Sequence, residues 1–478
     1  MPQRHPPPKS LELSEAELRD LTLRSLDRIA GFLRELPNAP MHRMDGARKL
    51  ARSLREDMPE RGRSVPALLG QIFERILPMG LNTASPGYLA YIPGGGLPQS
   101  AVAELITNAT NRYIGIWQGA PGLVQIETNV IRWFCEMAGL PSQSGGILCS
   151  GGSMATLIAL VTARIERLPP DFLRGRIYAS AHAHHSVQKA ARFAGFPADA
   201  VREIPVDDRF RMDPAALRAA IAEDRAAGQL PFCLVASAGT TATGAIDPLP
   251  ELGAIAQAEG LWLHVDAAYG GFFLLTERGR AAMTGIDAAD SIVLDPHKGL
   301  FLPYGTGCLL VREREGLRRA HGGWGSYMPA AEQDPECWDF ADMGPELSRD
   351  ARGLRVWLPL KMHGAAAFRA ALDEKLDLAR WAAEALRAID GIEVLNPPAL
   401  SLFAFRATPP PGVDADTFNR RLMQRVNARQ RVILTGVKLE SGFALRLCVL
   451  SFRTHAERMV MALDDLRAAL AEITIERE

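Results

Sequence analysis

The sequence has few of the features that mark secreted, metal-binding or nucleic-acid-binding proteins. Its six cysteines are scattered without a Cys-x-x-Cys pair, so neither a disulfide framework nor a zinc ribbon is indicated. The formal net charge is -1 at pH 7, which provides no overall field to attract nucleic acid or an anionic membrane. The amino terminus, MPQRHPPPKS, has no apolar segment like that of a signal peptide. We therefore expect a cytoplasmic protein that binds neither nucleic acid nor membranes.

One uncharged stretch is nearly long enough to span a bilayer. Residues 145–163 read GGILCSGGSMATLIALVTA, and the first half of this stretch holds four glycines and two serines. The loop CSGGS would interrupt a membrane helix near its middle. The segment therefore predicts a strand, a tight loop and a buried helix, and we expect no membrane span.

The amino-terminal region differs in pattern from the rest of the chain. At 478 residues, the chain is long enough for more than one domain. Residues 1–84 are charged and helical in pattern, and Ser14 with Glu17 forms a capping box at the start of the first helix. Such an arm packs on its own chain or on a partner subunit, and we expect it to take part in dimerisation.

Residues 85–355 alternate short apolar strands with helical stretches. The predicted strands are 176–180, 232–238, 261–267, 291–295 and 307–312. This alternation predicts an α/β domain with a mostly parallel sheet. Residues 356–478 begin with a long helical run and continue as a smaller carboxyl-terminal α/β domain.

Glycines and a hydroxyl group follow a strand predicted near residues 146–149, and histidines follow the strand 176–180. Ligands collect at the carboxyl ends of parallel strands. Gly152 and Ser153 precede a helix whose free N–H groups could cradle a phosphate, although a simple tight turn fits equally well. No Gly-Lys-Ser/Thr sequence follows, so a P-loop site is excluded. The loop AHAHHSVQKA holds His184 among three histidines, but no cysteine or acidic cluster accompanies them, and we expect no metal site.

A lysine stands where another buried strand ends. In SIVLDPHKGLFLPYGTG (291–307), Lys298 either reaches into solvent or acts as a nucleophile. Asp266 ends an apolar strand 32 residues earlier, which is one strand-helix-strand step. Pyridoxal 5'-phosphate (PLP) needs a lysine amine for its aldehyde, a carboxylate for its ring nitrogen, a stacking partner and a helix amino end for its phosphate. The lysine, the aspartate, the histidines and the glycine-rich helix start together predict a PLP site with Lys298 as the nucleophile.

Several motifs, in order along the chain, resemble the group II PLP-dependent decarboxylases of fold type I. They are SPGYLAYIPGG, GIWQGAPGLVQIET, SGGSMATLIAL, AHHSVQKAARFAG, HVDAAYGG, DPHKGL and PELSRDARGLRVW. The resemblance covers roughly residues 80–365, and the first two segments are most similar to the aromatic L-amino acid decarboxylases. It implies a mostly parallel, seven-stranded large domain, a homodimer, and conversion of an L-amino acid to its amine and CO2.

The resemblance also implies roles for individual residues. Lys298 would bind PLP as a Schiff base, Asp266 would pair with the ring nitrogen, and His184 would stack on the ring near the substrate carboxylate. Tyr327, 29 residues after the lysine in a glycine-rich loop, would protonate Cα. The remaining implied cofactor contacts are Gly152 and Ser153 at the phosphate, Asp295 and His297 nearby, and Thr241 and Ala268 along the ring.

Substrate identity is left open by the sequence. A second histidine at 185, Asp295 in place of asparagine and Gly94 in place of threonine depart from the animal members of the family. Arg352 is a candidate for the group that binds the substrate carboxylate. Four apolar residues favour an aromatic side chain, although apolar pockets discriminate weakly: Tyr88, Leu89, Ile92 and Trp117.

Other activities fit the same motifs. An oxygen-using aromatic aldehyde synthase is one, and the presence of Tyr327 and His184 argues against it. The others are a decarboxylase of glutamate, diaminobutyrate or histidine, an aminotransferase, and a catalytically silent PLP-binding protein. We predict decarboxylation of tryptophan, tyrosine, DOPA or phenylalanine.

Overall fold

The computed structural model describes residues 11–323, 325 and 334–475. In the amino-terminal region, the capping box is confirmed, because Ser14 Oγ accepts the Glu17 N–H and the Glu17 carboxylate accepts the Ser14 N–H. The helices of this region bury none of their own side chains. Its elements are α1 (Glu15–Glu35), β1 (His42–Arg43), α2 (Ala47–Ser53), α3 (Val65–Gly70), a π-helical turn (Gln71–Ile76) and β2 (Gly80–Leu81).

A seven-stranded sheet forms the centre of the molecule. Its strands are β3 (Gly145–Cys149), β4 (Gly175–Ser180), β5 (Val201–Ile204), β6 (Leu230–Ser237), β7 (Trp262–Asp266), β8 (Ser291–Leu294) and β9 (Gly307–Val311), and all except β5 are mostly apolar. Their order is β3-β9-β8-β7-β6-β4-β5, and only β9 runs antiparallel to its neighbours. The predicted mostly parallel α/β sheet is therefore confirmed, and the five predicted strands match to within two residues.

Helices cover both faces of this sheet, which explains why its strands are apolar on both sides. The helices of this region are α4 (Pro98–Thr110), α5 (Pro121–Met137), α6 (Gly152–Arg167), α7 (Ser186–Phe193), α8 (Pro214–Ala226), α9 (Leu249–Glu259), α10 (Glu277–Ala282), α11 (Pro296–Gly299) and α12 (Arg314–His321). Within residues 11–323 and 334–475, no helix combines the length and apolarity needed to cross a membrane. The uncharged stretch 145–163 forms β3, a tight loop and most of α6, as the glycines predicted.

The carboxyl-terminal region has a second sheet and a second core. Four antiparallel strands pair in the order β10-β11-β13-β12 and pack against three helices. The long helix α13 bends at Gly364, which has a φ of +74°. The elements are α13 (Arg352–Arg387), β10 (Ile392–Val394), β11 (Leu402–Ala407), α14 (Ala415–Ala428), β12 (Thr435–Leu439), β13 (Gly442–Cys448) and α15 (Ala456–Ile475).

The strand directions decide where a site can form. Strands β4, β6, β7 and β8 are parallel, so their carboxyl ends meet at one edge of the sheet. Strand β9 runs in the opposite direction, and β3 on its far side therefore points the same way as β8. The loops after these five strands open onto the same crevice, as expected for open α/β sheets.

Candidate active site

A cavity of about 320 Å³ lies at this edge of the sheet. Every residue predicted to contact the cofactor lines it: Gly152, Ser153, His184, Thr241, Asp266, Ala268, Asp295, His297 and Lys298. These residues come from loops that are up to about 150 positions apart in the sequence. The structure thus brings the predicted set together at one place.

The loop between β3 and α6 forms a backbone cradle. A Cβ atom at Gly152 would lie 2.9 Å from Asp295 Oδ2 and 3.4 Å from Ala268 Cβ, so no larger residue fits without a shift. A Cβ atom at Gly307, on the adjacent β9, would lie 2.5 Å from Gly151 Cα. No side chain caps the amino end of α6. Its free N–H groups and positive dipole end can therefore bind an anion such as a phosphate.

Lys298 lines the same cavity and is paired with a buried carboxylate. Its Nζ atom is 2.9 Å from Asp295 Oδ2, and Asp295 is 2% exposed. Burial disfavours the ammonium, but the charges of Asp295 and Asp266 outweigh it, so the pKa of Lys298 lies above its usual value. The other carboxylate oxygen, Asp295 Oδ1, is buried without a hydrogen-bond partner among the described residues. A ligand group that donates a hydrogen bond would satisfy it.

Asp266 ends β7 with its side chain in the cavity. Its Oδ1 atom accepts the Ala268 N–H at 3.1 Å, which fixes the carboxylate at the start of the following loop. Its charge acts on both Lys298 and His184. A carboxylate in this position can keep a ring nitrogen of a bound heterocycle protonated.

His184 is oriented by the start of α7. The Ser186 N–H donates to His184 Nδ1 at 3.2 Å, and Ser186 Oγ lies 2.8 Å from the same nitrogen. A nitrogen that accepts a backbone N–H carries no proton, so the neutral ring has its proton on Nε2. Burial lowers the pKa of His184, and the charge of Asp266 opposes this effect. In the described part of the chain, no group of three or more His, Cys, Asp or Glu side chains is arranged to hold a metal ion.

His297 faces the cradle from the short helix α11. Its Nδ1–H donates to the Thr306 carbonyl at 2.7 Å, and its ring packs near Tyr304. The Nδ1 atom also lies 3.7 Å from Asp295 Oδ1. The backbone carbonyl oxygen of His297 explains why position 94 holds glycine in place of threonine. A Cβ atom at Gly94 would lie 2.0 Å from this oxygen. With this backbone, no threonine can occupy position 94.

The cavity also contains residues that the sequence analysis did not single out. Four of them are small hydroxyl residues, namely Ser150, Ser186, Ser237 and Thr240. The hydroxyl-rich loops SAGTT and CSGGS were the available signal. Tyr269 is different, since its buried hydroxyl bonds to Ser401 at 2.9 Å and so ties the cavity wall to the carboxyl-terminal region.

The prediction for Arg352 is wrong for this structure. Its guanidinium pairs with the Glu346 carboxylate at 2.6 and 3.0 Å and does not line the cavity. It belongs to a buried charge cluster behind β3, in which Arg349 pairs with Glu127 at 2.7 Å and donates to the Leu148 carbonyl. Such buried charges stay paired because an unpaired one is costly.

The apolar residues expected to favour an aromatic substrate also lie elsewhere. Leu89 is fully buried in the core of the carboxyl-terminal region, and Tyr88 packs with Met41 and Ile433. Ile92 and Trp117 pack with the core of the large region, so none of the four is among the described lining residues. Tyr327 lies outside the described residues.

Comparisons with known proteins agree with this geometry. Residues 48–408 match the family described as the pyridoxal-dependent decarboxylase conserved domain. The chain belongs to this family. It is 34% identical over 471 residues to an aromatic-L-amino-acid decarboxylase of Bacillus atrophaeus, with 98% of each chain covered.

Two further comparisons bear on this decarboxylase. It is 32% identical to an L-2,4-diaminobutyrate decarboxylase of Rhizobium meliloti (strain 1021), covering 87% of this chain and 84% of the relative. The crystal structure of Oryza sativa TDC with PLP and tryptamine superposes with a TM-score of 0.92 at 26% identity, covering 97% of this chain and 100% of that chain. The chain is therefore a PLP-dependent amino acid decarboxylase with the fold of type I PLP enzymes.

The cavity fits PLP on its own features. The cradle that a Cβ atom would fill suits the phosphate, Lys298 suits the aldehyde, and Asp266 suits the pyridine nitrogen. When bound, PLP withdraws electrons from the Cα atom of an amino acid, so that the carboxylate can leave as CO2.

Proposed function

We propose that this decarboxylase converts an aromatic L-amino acid (tryptophan, tyrosine, DOPA or phenylalanine) to its amine and CO2. The observation that carries the proposal is the 34% identity, over nearly the whole of both chains, to an aromatic-L-amino-acid decarboxylase. The diaminobutyrate relative, at 32% identity, makes a non-aromatic substrate the second candidate.

The proposed roles combine the positions of the described side chains with the family resemblance, which alone supplies the role of Tyr327. Lys298 binds the PLP aldehyde, and Asp266 holds the proton of the pyridine nitrogen. The His184 ring covers the cofactor ring, with its Nε2–H available to the substrate carboxylate. Thr241 and Ala268 line the ring, and the amino end of α6 holds the phosphate through Gly152 and Ser153, with Asp295 and His297 nearby. Tyr327 delivers a proton to Cα after CO2 has left.

The proposed assembly is a homodimer built with residues 1–84. Helix α1 buries none of its side chains, although it carries apolar residues on successive turns. Leu18, Leu23, Leu26, Ile29 and Phe32 are all exposed in the single chain. Covering such a stripe in a symmetric pair removes apolar surface from water.

An aromatic aldehyde synthase is the alternative within the same scaffold. It would consume oxygen and water and release an aldehyde, ammonia, CO2 and hydrogen peroxide, whereas a decarboxylase consumes no oxygen and releases only the amine and CO2. The oriented His184 and the presence of Tyr327 favour the decarboxylase.

The test is mass spectrometry of the products that the PLP-loaded protein forms under air from a panel of L-amino acids. The panel contains tryptophan, tyrosine, DOPA, phenylalanine, histidine, glutamate and diaminobutyrate, and Lys298→Ala serves as the control. Amine from the aromatic members supports the proposal. Amine from diaminobutyrate or glutamate alone overturns the aromatic assignment, and aldehyde with ammonia moves the activity to the synthase.

A further inference from the structure

His185 has no role in the activity proposed above, yet it lies in contact with a residue of the cavity. The centroids of the His184 and His185 rings are 4.2 Å apart, and the rings are tilted by 46°. His184 lines the cavity and is partly buried, whereas His185 is exposed. At this separation, a positive charge on one ring strongly opposes a charge on the other.

We propose that His185 is a positioning residue that keeps the imidazole of His184 neutral. The two rings are in contact, so a positive charge on His185 opposes a proton on the ring in the cavity. The catalytic consequence rests on the proposed function, in which His184 lies beside the substrate carboxylate.

The backbone around His184 independently favours the neutral ring. Its Nδ1 atom accepts the Ser186 N–H, so protonation of this nitrogen would set two N–H groups against each other. The neutral ring therefore presents one proton, on Nε2.

The charged groups around His184 show why a further positive charge is useful. Burial is the strongest influence and lowers the pKa of His184. Asp266, at the end of β7, raises it, His185 and Lys298 lower it, and Asp295, before α11, raises it. Two carboxylates thus draw a proton towards the cavity ring, and His185 acts against them together with Lys298.

A neutral His184 suits the loss of CO2. The negative charge of the substrate carboxylate disappears as CO2 leaves, so a neighbouring cation stabilises the bound substrate more than the transition state. A neutral Nε2–H can orient the carboxylate without this penalty. Protonation of His184 is therefore expected to tighten substrate binding and lower kcat.

The direct test is an NMR titration of the His184 ring in the PLP-loaded protein without substrate. The resonance is assigned with His184→Asn, and the test compares wild type with His185→Gln, His185→Lys and Lys189→Gln. Lys189 provides a matched control, because it is on α7 and its ammonium lies near Phe193. We expect the His184 midpoint to move to higher pH in His185→Gln. It should stay at or below the wild-type midpoint in His185→Lys and be unchanged in Lys189→Gln.

An unchanged midpoint in His185→Gln, or an equal shift in Lys189→Gln, overturns the proposal. Because this readout needs no turnover, it is separate from the substrate assignment. With the amino acid that the enzyme decarboxylates, His185→Gln should lose about threefold in kcat at the acid end of the pH profile with a lower KM, and should match wild type at the alkaline end. A shifted NMR midpoint with the wild-type kcat profile overturns the catalytic part alone.

Discussion

Lys298 Nζ lies 2.9 Å from Asp295 Oδ2 at the mouth of β8, where both side chains line the same cavity. The pKa of Lys298 is above its usual value although burial lowers it, because the charges of Asp295 and Asp266 outweigh burial. Only the neutral amine attacks the PLP aldehyde. Asp295 therefore favours the protonated, unreactive form of Lys298.

Asp295→Asn should lower the pKa of Lys298 and so raise the fraction of neutral amine at any given pH. We expect the pH at which the apoprotein binds PLP at half its maximal rate to fall in this variant. Stopped-flow absorbance of Schiff-base formation measures that pH. Asp373→Asn, which removes a surface carboxylate paired with Arg278, serves as the control. The same half-maximal pH in all three proteins would show that Asp295 does not control the lysine.

Gly152→Ala should weaken PLP binding by about tenfold, or ~1.4 kcal/mol, because the new methyl group would lie 2.9 Å from Asp295 Oδ2 and disturb the cradle. Equilibrium dialysis of PLP measures the loss. Gly122→Ala is the matched control, since a Cβ atom there has nothing within 4 Å and should change the unfolding free energy by no more than ~1 kcal/mol. Wild-type PLP affinity in Gly152→Ala would contradict the role of the cradle.

His264 should make the fold sensitive to acid. Burial lowers the pKa of His264 from 6.5 to about 4. Between these pH values, the unfolded chain binds a proton that the native state does not, so the free energy of unfolding falls as the pH is lowered. The contribution of His264 to this fall in the free energy of unfolding is of the order of 3 kcal/mol.

Urea unfolding of wild type and His264→Gln between pH 7 and pH 4 measures this contribution. The difference between the two curves removes the opposite contribution of Asp247, whose pKa burial raises to about 6. We expect a shallower decline in the variant. Parallel curves for the two proteins would rule out His264 as the source.

The sequence allowed the sheet and most of the cavity to be predicted because both depend on local patterns. Short apolar strands are followed by loops that carry polar residues, and parallel strands bring those loops together, which places Asp266 and Lys298 in one crevice. The substrate side was not predictable in the same way. Leu89 donates its N–H to the Ile433 carbonyl and accepts the Cys448 N–H, so a segment that reads as pocket lining joins the second core.

The partner of a charged residue is equally hard to predict from the sequence, as Arg352 shows. Its sequence context suggested a free guanidinium near the substrate, but Glu346, six positions earlier, folds back to pair with it. Which of several nearby charges will pair depends on how the surrounding backbone packs. No local pattern in the sequence reports that packing.

Tyr327→Phe should slow amine formation and divert turnover towards aldehyde, because the phenol proton is no longer available to Cα. Mass spectrometry of amine and aldehyde, together with an oxygen electrode, follows both products. Tyr304→Phe provides a control, as a tyrosine 62% exposed that packs near His297. Amine formation at the wild-type rate in Tyr327→Phe would remove this residue from the proposed mechanism.

The most direct measurement of the whole account is borohydride reduction of the PLP-loaded protein, followed by peptide mass spectrometry. Reduction turns the lysine–PLP double bond into a stable single bond and marks the lysine that carried the cofactor. The account predicts a phosphopyridoxyl adduct on the peptide that contains Lys298, and none in Lys298→Ala. An adduct on another lysine, such as Lys361 or Lys375, or no adduct at all, would contradict it.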